Sequence, residues 1–420
     1  METQLGGMAI RILLLTQWFD PEPTFKGLAF ARELVRRGFD VEVVTGFPNY
    51  PGGKLYSGYR IRLLTREQID GVHVTRVPLY PSHSQSAPGR VVNYLSFFLS
   101  SLVYCLLGAK RPDVIYAYHP PLTVGIAAAL VRGIRRVPVV YDIQDMWPDT
   151  LRATGMLSNE RVLDWVSRLC KWVYRRVDRI VVLSPGFKKL LVDRGVPEKK
   201  MELIYNWCNE ELLNQSACKG SEKLPAEGKF RIVFAGNMGK AQALYSVLDA
   251  ASILQKNGDQ AVAFVFVGGG VEAERLEKYS RELQLRNVHF LPRVPMSRIG
   301  SILKEADALL VHLKNDPLFR VTIPSKVQAY MAIGKPILVA VEGDAADLVQ
   351  ECGCGETAVP ENPDSIAAAA LSLQRRSVAD LDDMETGSRK YYREKLSVSA
   401  GVEKFSAVFT VLAKAGVTDA

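Results

Sequence analysis

The sequence predicts an α/β protein built from two doubly wound, Rossmann-like domains, and three features carry that expectation. Its 420 residues exceed what one hydrophobic core usually supports. Short apolar runs alternate with segments of helical periodicity from Ile10 onward, the pattern of buried strands joined by crossover helices. The alternation then restarts at Phe230, after a Gly-, Ser- and Pro-containing charged stretch from Cys218 to Gly228. The expected divisions are 1–210 for the first domain, 211–228 for a linker, 229–396 for the second domain and 397–420 for a final helix. An apolar fraction of 48% is enough for two cores.

Taken in order, the chain opens with strand Ile12 to Thr16, a loop, a helix near Lys26 to Arg37, Gly38 as its stop, and strand Asp40 to Thr45, together a βαβ unit. Buried strands are expected at Val72 to Val77, Val114 to Tyr118, Pro138 to Asp142 and Arg179 to Leu183, with helices at Pro121 to Val131 and Arg161 to Val177. In the second half the strands are Phe230 to Ala235, Ala261 to Val267, Val288 to Leu291, Ala308 to Leu313 and Ile337 to Val341. Helices fall near Ala243 to Lys256, Glu272 to Leu283, Met296 to Glu305 and after Pro324, and a last one covers Ser399 to Ala413. Two such sheets that face each other across a cleft bring the carboxyl ends of their strands to a shared ligand site.

A net charge of +8 suits nucleic acid, anionic lipid or phosphorylated ligands. Lys and Arg are spread through both halves without an RNA-binding or zinc-finger signature, so nucleic acid is not expected as a partner. The six cysteines lack metal-ligand or disulfide spacing and read as reduced, cytosolic residues. The apolar run Ile12 to Leu15 is too short for a signal-peptide core and reads as the first strand.

The most informative stretch is Phe319 to Pro336, in which a polar turn opens a helix that closes on Gly334-Lys335-Pro336. Pro324 suits the first helical turn, Gly334 suits the left-handed residue past the end, and Ser325 and Lys326 lie at the helix mouth. Lys326 beside unpaired amides is a place for phosphate, the alternative being a surface lysine. Gly236-Asn237-Met238-Gly239-Lys240 follows a strand and precedes a helix; its glycines allow close backbone approach and Lys240 can neutralise a second phosphate. A plain turn is the alternative there, and the spacing is not that of a Walker loop. Asp142, Gln144, Asp145 and Asp149 cluster at the end of a first-domain strand, where an acceptor contact or base belongs. Asp145 is the first choice, against a structural N-cap for the following helix. His119 also stands at a strand end, either as a loop residue or as an acceptor contact.

These stretches resemble the GT-B glycosyltransferases of family 4, in the WbuB-like subgroup that builds bacterial surface polysaccharides. The similarity runs through Trp18 to Pro23, Thr45 to Pro51, Tyr141 to Asp149, Phe234 to Lys240 and the Lys326 unit. It implies a GT-B fold whose C-terminal helix crosses back to the first domain. It also implies a retaining glycosyltransferase that moves a sugar, such as N-acetyl-fucosamine, from a UDP-linked donor to a polyprenyl-diphosphate-linked saccharide. Such an enzyme works at the inner face of the cytoplasmic membrane. No metal or cofactor is expected, because no acidic metal-binding motif is evident, so leaving-group charge falls to Lys240, Lys326 and amides.

The family carries two glutamates whose places fall here at Val321 and Ala329. Gln328 beside the second is the candidate ribose contact, and Glu342, Asp344 and Asp347 are substitute carboxylates or a solvated acidic loop. Of the family's early-loop glycines only Gly27 remains, and Lys26 before it is placed to contact an acceptor phosphate. The rivals are a nucleotide-sugar epimerase of the same shape and a non-catalytic sugar-nucleotide-binding partner.

Val91 to Ala109 is uncharged and flanked by Arg90 and Lys110-Arg111, long enough to span a bilayer. Because a strand of the same sheet follows at once, a buried helix is favoured, with an interfacial helix next and a spanning one last. The helix Arg161 to Val177 mixes Trp165, Leu169, Trp172 and Val173 with four cations, a mix that can cover a core or lie on anionic lipid, and a core helix with a solvated basic edge is the favoured reading.

Overall fold

Eight strands form the first sheet, in the order Met201–Leu203, Arg179–Val182, Val139–Ile143, Val114–Tyr118, Arg11–Thr16, Asp40–Thr45, Val72–Arg76 and Thr65–Ile69. All neighbours are parallel except the edge strand Thr65–Ile69, which pairs antiparallel with Val72–Arg76. The central strands are buried along almost their whole length, which is why they appear in the sequence as continuous apolar runs. The computed structural model describes residues 4–5, 8–82, 87–153, 155–215 and 223–418. Of the stretch from Cys218 to Gly228 expected to link the domains, Cys218 to Glu222 lie outside them.

The second sheet is wholly parallel among the described residues: Val288–Leu291, Val262–Gly269, Phe230–Asn237, Ala308–His312, Ile337–Ala340 and Gly355–Thr357. Its core is built by Phe234, Phe264 and Phe266 with Val247, Leu248 and Ile366 from the helices laid on it. The two compact units are Met1–Tyr205 with Gly401–Ala420, and Asn206–Ala400. The final helix, Val398–Thr418, therefore returns its outer part to the first unit. Phe405 sits edge-on to Phe30 at 5.1 Å, and Phe409 lies 5.7 Å from Tyr116.

Each strand's carboxyl end feeds the loop that carries candidate chemistry: Trp18 after Arg11–Thr16, His119 after Val114–Tyr118, Asp145 after Val139–Ile143, and Asn237 at the end of Phe230–Asn237. Several helices were not anticipated, among them Pro185–Asp193, Asp344–Cys352 and Pro363–Gln374. All three follow short strands closely.

Candidate functional site

In the second unit, Lys326 is the second residue of helix Ser325–Ile333, which ends on Gly334 in the left-handed conformation, φ 89°. Pro324 stands one position earlier than expected, at the N-cap, and no side chain caps that end. The Lys326 ammonium lies 3.4 Å from the centre of the Phe234 ring and has no anionic partner among the described residues. Burial without a counter-charge holds its pKa down to about 7. A Cβ at Gly236, φ +130°, would stand 3.1 Å from Lys326 Cε and 3.3 Å from Nζ, so glycine there leaves the cation its room. Gly268 permits the next strand end to cross the Gly236 carbonyl in the same way. An uncapped helix N-terminus, an unpaired ammonium and an exposed strand end thus converge, and a diphosphate is the group that arrangement can hold.

Lys240 opens the short 3-10 turn Lys240–Gln242, whose N-cap is Gly239, with Gly239 N–H donating to Gln242 Oε1 at 3.0 Å. It is exposed and borders a cavity of about 440 Å³ that also includes Tyr245, Glu272, Arg275 and Lys314. Gln328 departs from expectation. It is only 2% exposed, and with its amide nitrogen turned inward it donates to the carbonyls of Pro324 at 2.8 Å and Ser325 at 3.2 Å. Both donors of its amide nitrogen are thereby spent on the start of its own helix, and its burial sets it apart from an open ribose contact.

Of the three substitute carboxylates, Glu342 is brought to the Val321 turn, where it pairs with Arg320 at 2.9 Å. Gly343, φ +82°, lets that loop cross the Arg320 carbonyl, which a Cβ would obstruct. Asp344 and Asp347 lie in the first turn of helix Asp344–Cys352, where negative charge complements the helix dipole, so a structural role accounts for them.

In the first unit, most of the expected acceptor contacts prove to be internal supports. Lys26 is wholly buried, 5.6 Å from the Phe405 ring centre and facing the Asp142 charge; burial still lowers its pKa to about 8. Asp142 is equally buried, accepts from Tyr116 Oη and from Gln144 Nε2, both at 2.6 Å, and has its pKa raised by that burial. Lys26 and Asp142 therefore belong to the core rather than to an acceptor surface, and half-buried Gln144 spends an amide N–H on Asp142. Gly27 is small because the Asp20 carboxylate occupies the space a Cβ would need, and that carboxylate accepts from Leu28 N–H at 2.6 Å to start helix Leu28–Arg36. His119 is enclosed between Trp147 and Tyr141, its Nδ1 unpartnered among the described residues and its pKa pushed down to about 3 by burial.

Asp145 is different. It is half-buried, has no hydrogen-bond partner on its carboxylate among the described residues, and its pKa is raised by desolvation. It caps no helix, since the next one is Asp149–Ala153. Asp149 itself pairs with Arg194. Sequence reading missed the surroundings of Asp145. Tyr94 lies within the field of Asp145, Tyr50 and Arg90, and Trp18 stacks on Tyr50 at 4.7 Å. The loops carrying that pair are fixed by buried Glu22, which accepts from Asn49 and Tyr50 N–H at 2.7 Å, and by buried Arg76, bound to the Asp20 and Gly46 carbonyls at 2.7 and 3.1 Å. The aromatic content of the two motifs was the available signal, but no spacing rule joins loops so far apart in the chain.

The helix Ala87–Val103, continued by the π turn Tyr104–Gly108, also differs from the favoured buried reading: Val91, Leu95, Leu99, Val103 and Leu107 are exposed. Helix Glu160–Arg176 does pack on the core, but through Leu163, Val166, Cys170 and Val173; of the four apolar residues named for it only Val173 is buried, Leu169 and Trp172 being half-buried and Trp165 exposed.

Two parallel-sheet units with a phosphate-ready helix end in the second define a GT-B glycosyltransferase, and the comparisons with known proteins agree. Residues 28–207 match the glycosyl transferase 4-like domain and residues 219–390 match the glycosyl transferases group 1, so the chain belongs to that two-domain family. It is 27% identical over 418 residues, 94% of its length and 98% of the relative's, to a protein of Escherichia coli (strain K12) named as the colanic acid biosynthesis glycosyl transferase WcaI. It is 25% identical over 305 residues, 71% and 74% of the two chains, to a Pseudomonas aeruginosa protein named as glycosyltransferase WbjE. The structure of Anabaena HepE, solved with UDP and glucose, shares the fold with a TM-score of 0.66 at 16% identity, covering 96% of this chain and 99% of that one.

Proposed function

We propose that this glycosyltransferase transfers a sugar, with retention at the anomeric carbon, from a UDP-linked donor to a polyprenyl-diphosphate-linked saccharide in bacterial polysaccharide assembly, at the cytoplasmic face of the membrane. The observation that carries the reading is the Lys326 ammonium, buried against Phe234 with no anion among the described residues, at an uncapped helix end. A donor diphosphate supplies the missing charge, and the charge that grows on it as the glycosidic bond breaks is stabilised by the same ammonium and amides. Lys240 serves the second phosphate, with Gly236, Asn237 and Gly239 as the surrounding backbone. Asp145 accepts a hydrogen bond from the incoming acceptor hydroxyl, its raised pKa bringing it closer to a base's working range.

The polysaccharide role is supported by the name of the WcaI relative, and the UDP assignment by the ligand of HepE. N-acetyl-fucosamine as the transferred sugar rests on the subgroup resemblance. The Glu342–Arg320 pair beside Val321 supplies the carboxylate that the vacant position lacks.

The test is mass spectrometry of lipid-linked products after incubation with UDP-, GDP- and dTDP-sugars and a membrane extract. A mass gain from one UDP-sugar is the expected outcome. Isomerised donor without lipid product would make the protein an epimerase, and binding without turnover would make it a non-catalytic partner. In the same assay Asp145→Asn should lower transfer by about 10²- to 10⁴-fold and leave UDP affinity unchanged; full activity would remove Asp145 from the reaction.

A further inference from the structure

We infer that helix Ala87–Val103 with its π turn is a two-faced element: its outer face docks on an anionic lipid bilayer, and that docking orders the acceptor-side loops gripped by its inner face. The inference deepens the proposed function and rests on its reading of the first unit as the acceptor side.

The helix is inverted relative to an ordinary surface helix. Its outward stripe is Val91, Val92, Leu95, Leu99, Val103 and Leu107, each between 47% and 84% exposed. At 1.5 Å per residue the stripe runs about 24 Å along the helix. Its inward positions hold the polar anchors instead. Ser100 Oγ donates to the Pro78 carbonyl at 2.6 Å, Tyr104 Oη donates to Glu42 at 2.6 Å, and Asn93 and Ser101 are buried beside Phe97. Water gives such an outer face no stabilisation, whereas an apolar medium does.

Charge identifies the medium. No acidic residue occurs between Arg90 and Arg111, and the stripe is bounded by Arg90 at one end and Lys110 and Arg111 at the other. The neighbouring helix Leu122–Arg135, packed against this one, ends with Ile134 exposed beside Arg135, which binds the Cys105 and Ala109 carbonyls, and Arg136, while Arg132 is paired with Asp178. An apolar centre with cationic ends matches the acyl boundary and headgroups of an anionic leaflet.

The inner face reaches the candidate acceptor site through Asn93, which is 2% exposed. Its Oδ1 accepts from Gln17 Nε2 at 2.5 Å, and its Nδ2 donates to the Tyr80 carbonyl at 2.7 Å and to Asn49 Oδ1 at 3.4 Å. Gln17 and Asn49 immediately precede Trp18 and Tyr50, the stacked pair, and Tyr94 follows Asn93 on the helix toward Asp145. The network has room to tighten, since buried Gln17 Oε1 has no partner among the described residues. A force on the outer face is thus transmitted by one side chain to both loops.

The test is flotation of the full chain with vesicles of phosphatidylglycerol and phosphatidylcholine, or of phosphatidylcholine alone, coupled to amide hydrogen exchange. The protein should float with the anionic vesicles only, and amides of residues 17–22 and 46–51 should then exchange about tenfold more slowly. Leu95→Glu with Leu99→Glu should abolish both effects. Asn93→Ala should float normally and lose the slowing. Absence of flotation, flotation with unchanged exchange in both loops, or a dimer that L95E/L99E dissociates without any vesicle binding would overturn the inference. The wild-type comparison decides the matter even where a variant folds poorly. Exchange is read without sugar transfer, so loop protection in a protein that transfers nothing would overturn the proposed function alone, and transfer without flotation would overturn only this inference.

Discussion

Two lysines, one in each unit, lie near the start of a helix that follows a strand and its loop, yet they reach opposite electrostatic states. Lys26 is fully enclosed and faces buried Asp142, whose remaining capacity is filled by Tyr116 and Gln144. Lys326 is partly enclosed above the Phe234 ring, and among the described residues nothing negative faces it. A buried cation with a buried carboxylate completes a core. One without an anion, beside uncapped amides, is half of an interaction whose other half is a ligand.

The comparison breaks most sharply at Lys26. Lys26→Met should destabilise the protein by about 3 to 5 kcal/mol in denaturant unfolding, because Asp142 is left charged and unpaired in the core. Adding Asp142→Asn should restore much of the loss, and a single variant as stable as the parent would show that the pair does not hold the first unit together.

Lys326→Ala should act in the opposite sense. UDP binding by calorimetry should weaken by about 1.5 to 3 kcal/mol, the worth of a charged hydrogen bond, while unfolding stability stays level or rises because an uncompensated charge has gone. Unchanged UDP affinity would move the diphosphate elsewhere.

A pH series sharpens the same contrast. Free of ligand, Lys326 titrates at about 7, below the ordinary 10.5. Between those values the unfolded chain holds the additional proton, so this group makes stability rise with pH across that window and is fully destabilising below it. UDP favours the charged form, so its affinity should fall as pH rises above about 7, at most about tenfold per unit. K326A should show a flat profile, and a flat wild-type profile would remove the titration from binding.

The smallest effect is expected at Gln328. Gln328→Ala should cost about 1 kcal/mol of stability through two lost hydrogen bonds and leave UDP affinity unaltered. A clear loss of affinity would return Gln328 to the ribose.

Both sheets were legible in the sequence largely because strands buried on two faces leave continuous apolar runs; Val114–Tyr118 and Asp40–Thr45 lie where the pattern put them, as does the only partly buried edge strand Val288–Leu291. The antiparallel edge strand Thr65–Ile69 was not, since a short polar segment at an edge leaves no such run. The Lys326 helix was legible because Gly334 marks its end. Gly27 was open to misreading, because a glycine that admits a ligand and one that admits the Asp20 carboxylate are the same letter.

By itself, then, the sequence determined the two α/β units, their strand ends and the phosphate-ready character of the Lys326 turn, all of which follow from local periodicity, backbone sterics and helix-end charge. Tertiary structure alone decided that, among the described residues, Lys26 has a counter-ion and Lys326 none, that Asp145 keeps a carboxylate open while Asp142 loses its own to the core, and that the helix beginning at Ala87 turns its aliphatic face outward. Those outcomes depend on which groups far apart in the chain share a low-dielectric space, and periodicity along one segment carries no record of what is packed across from it.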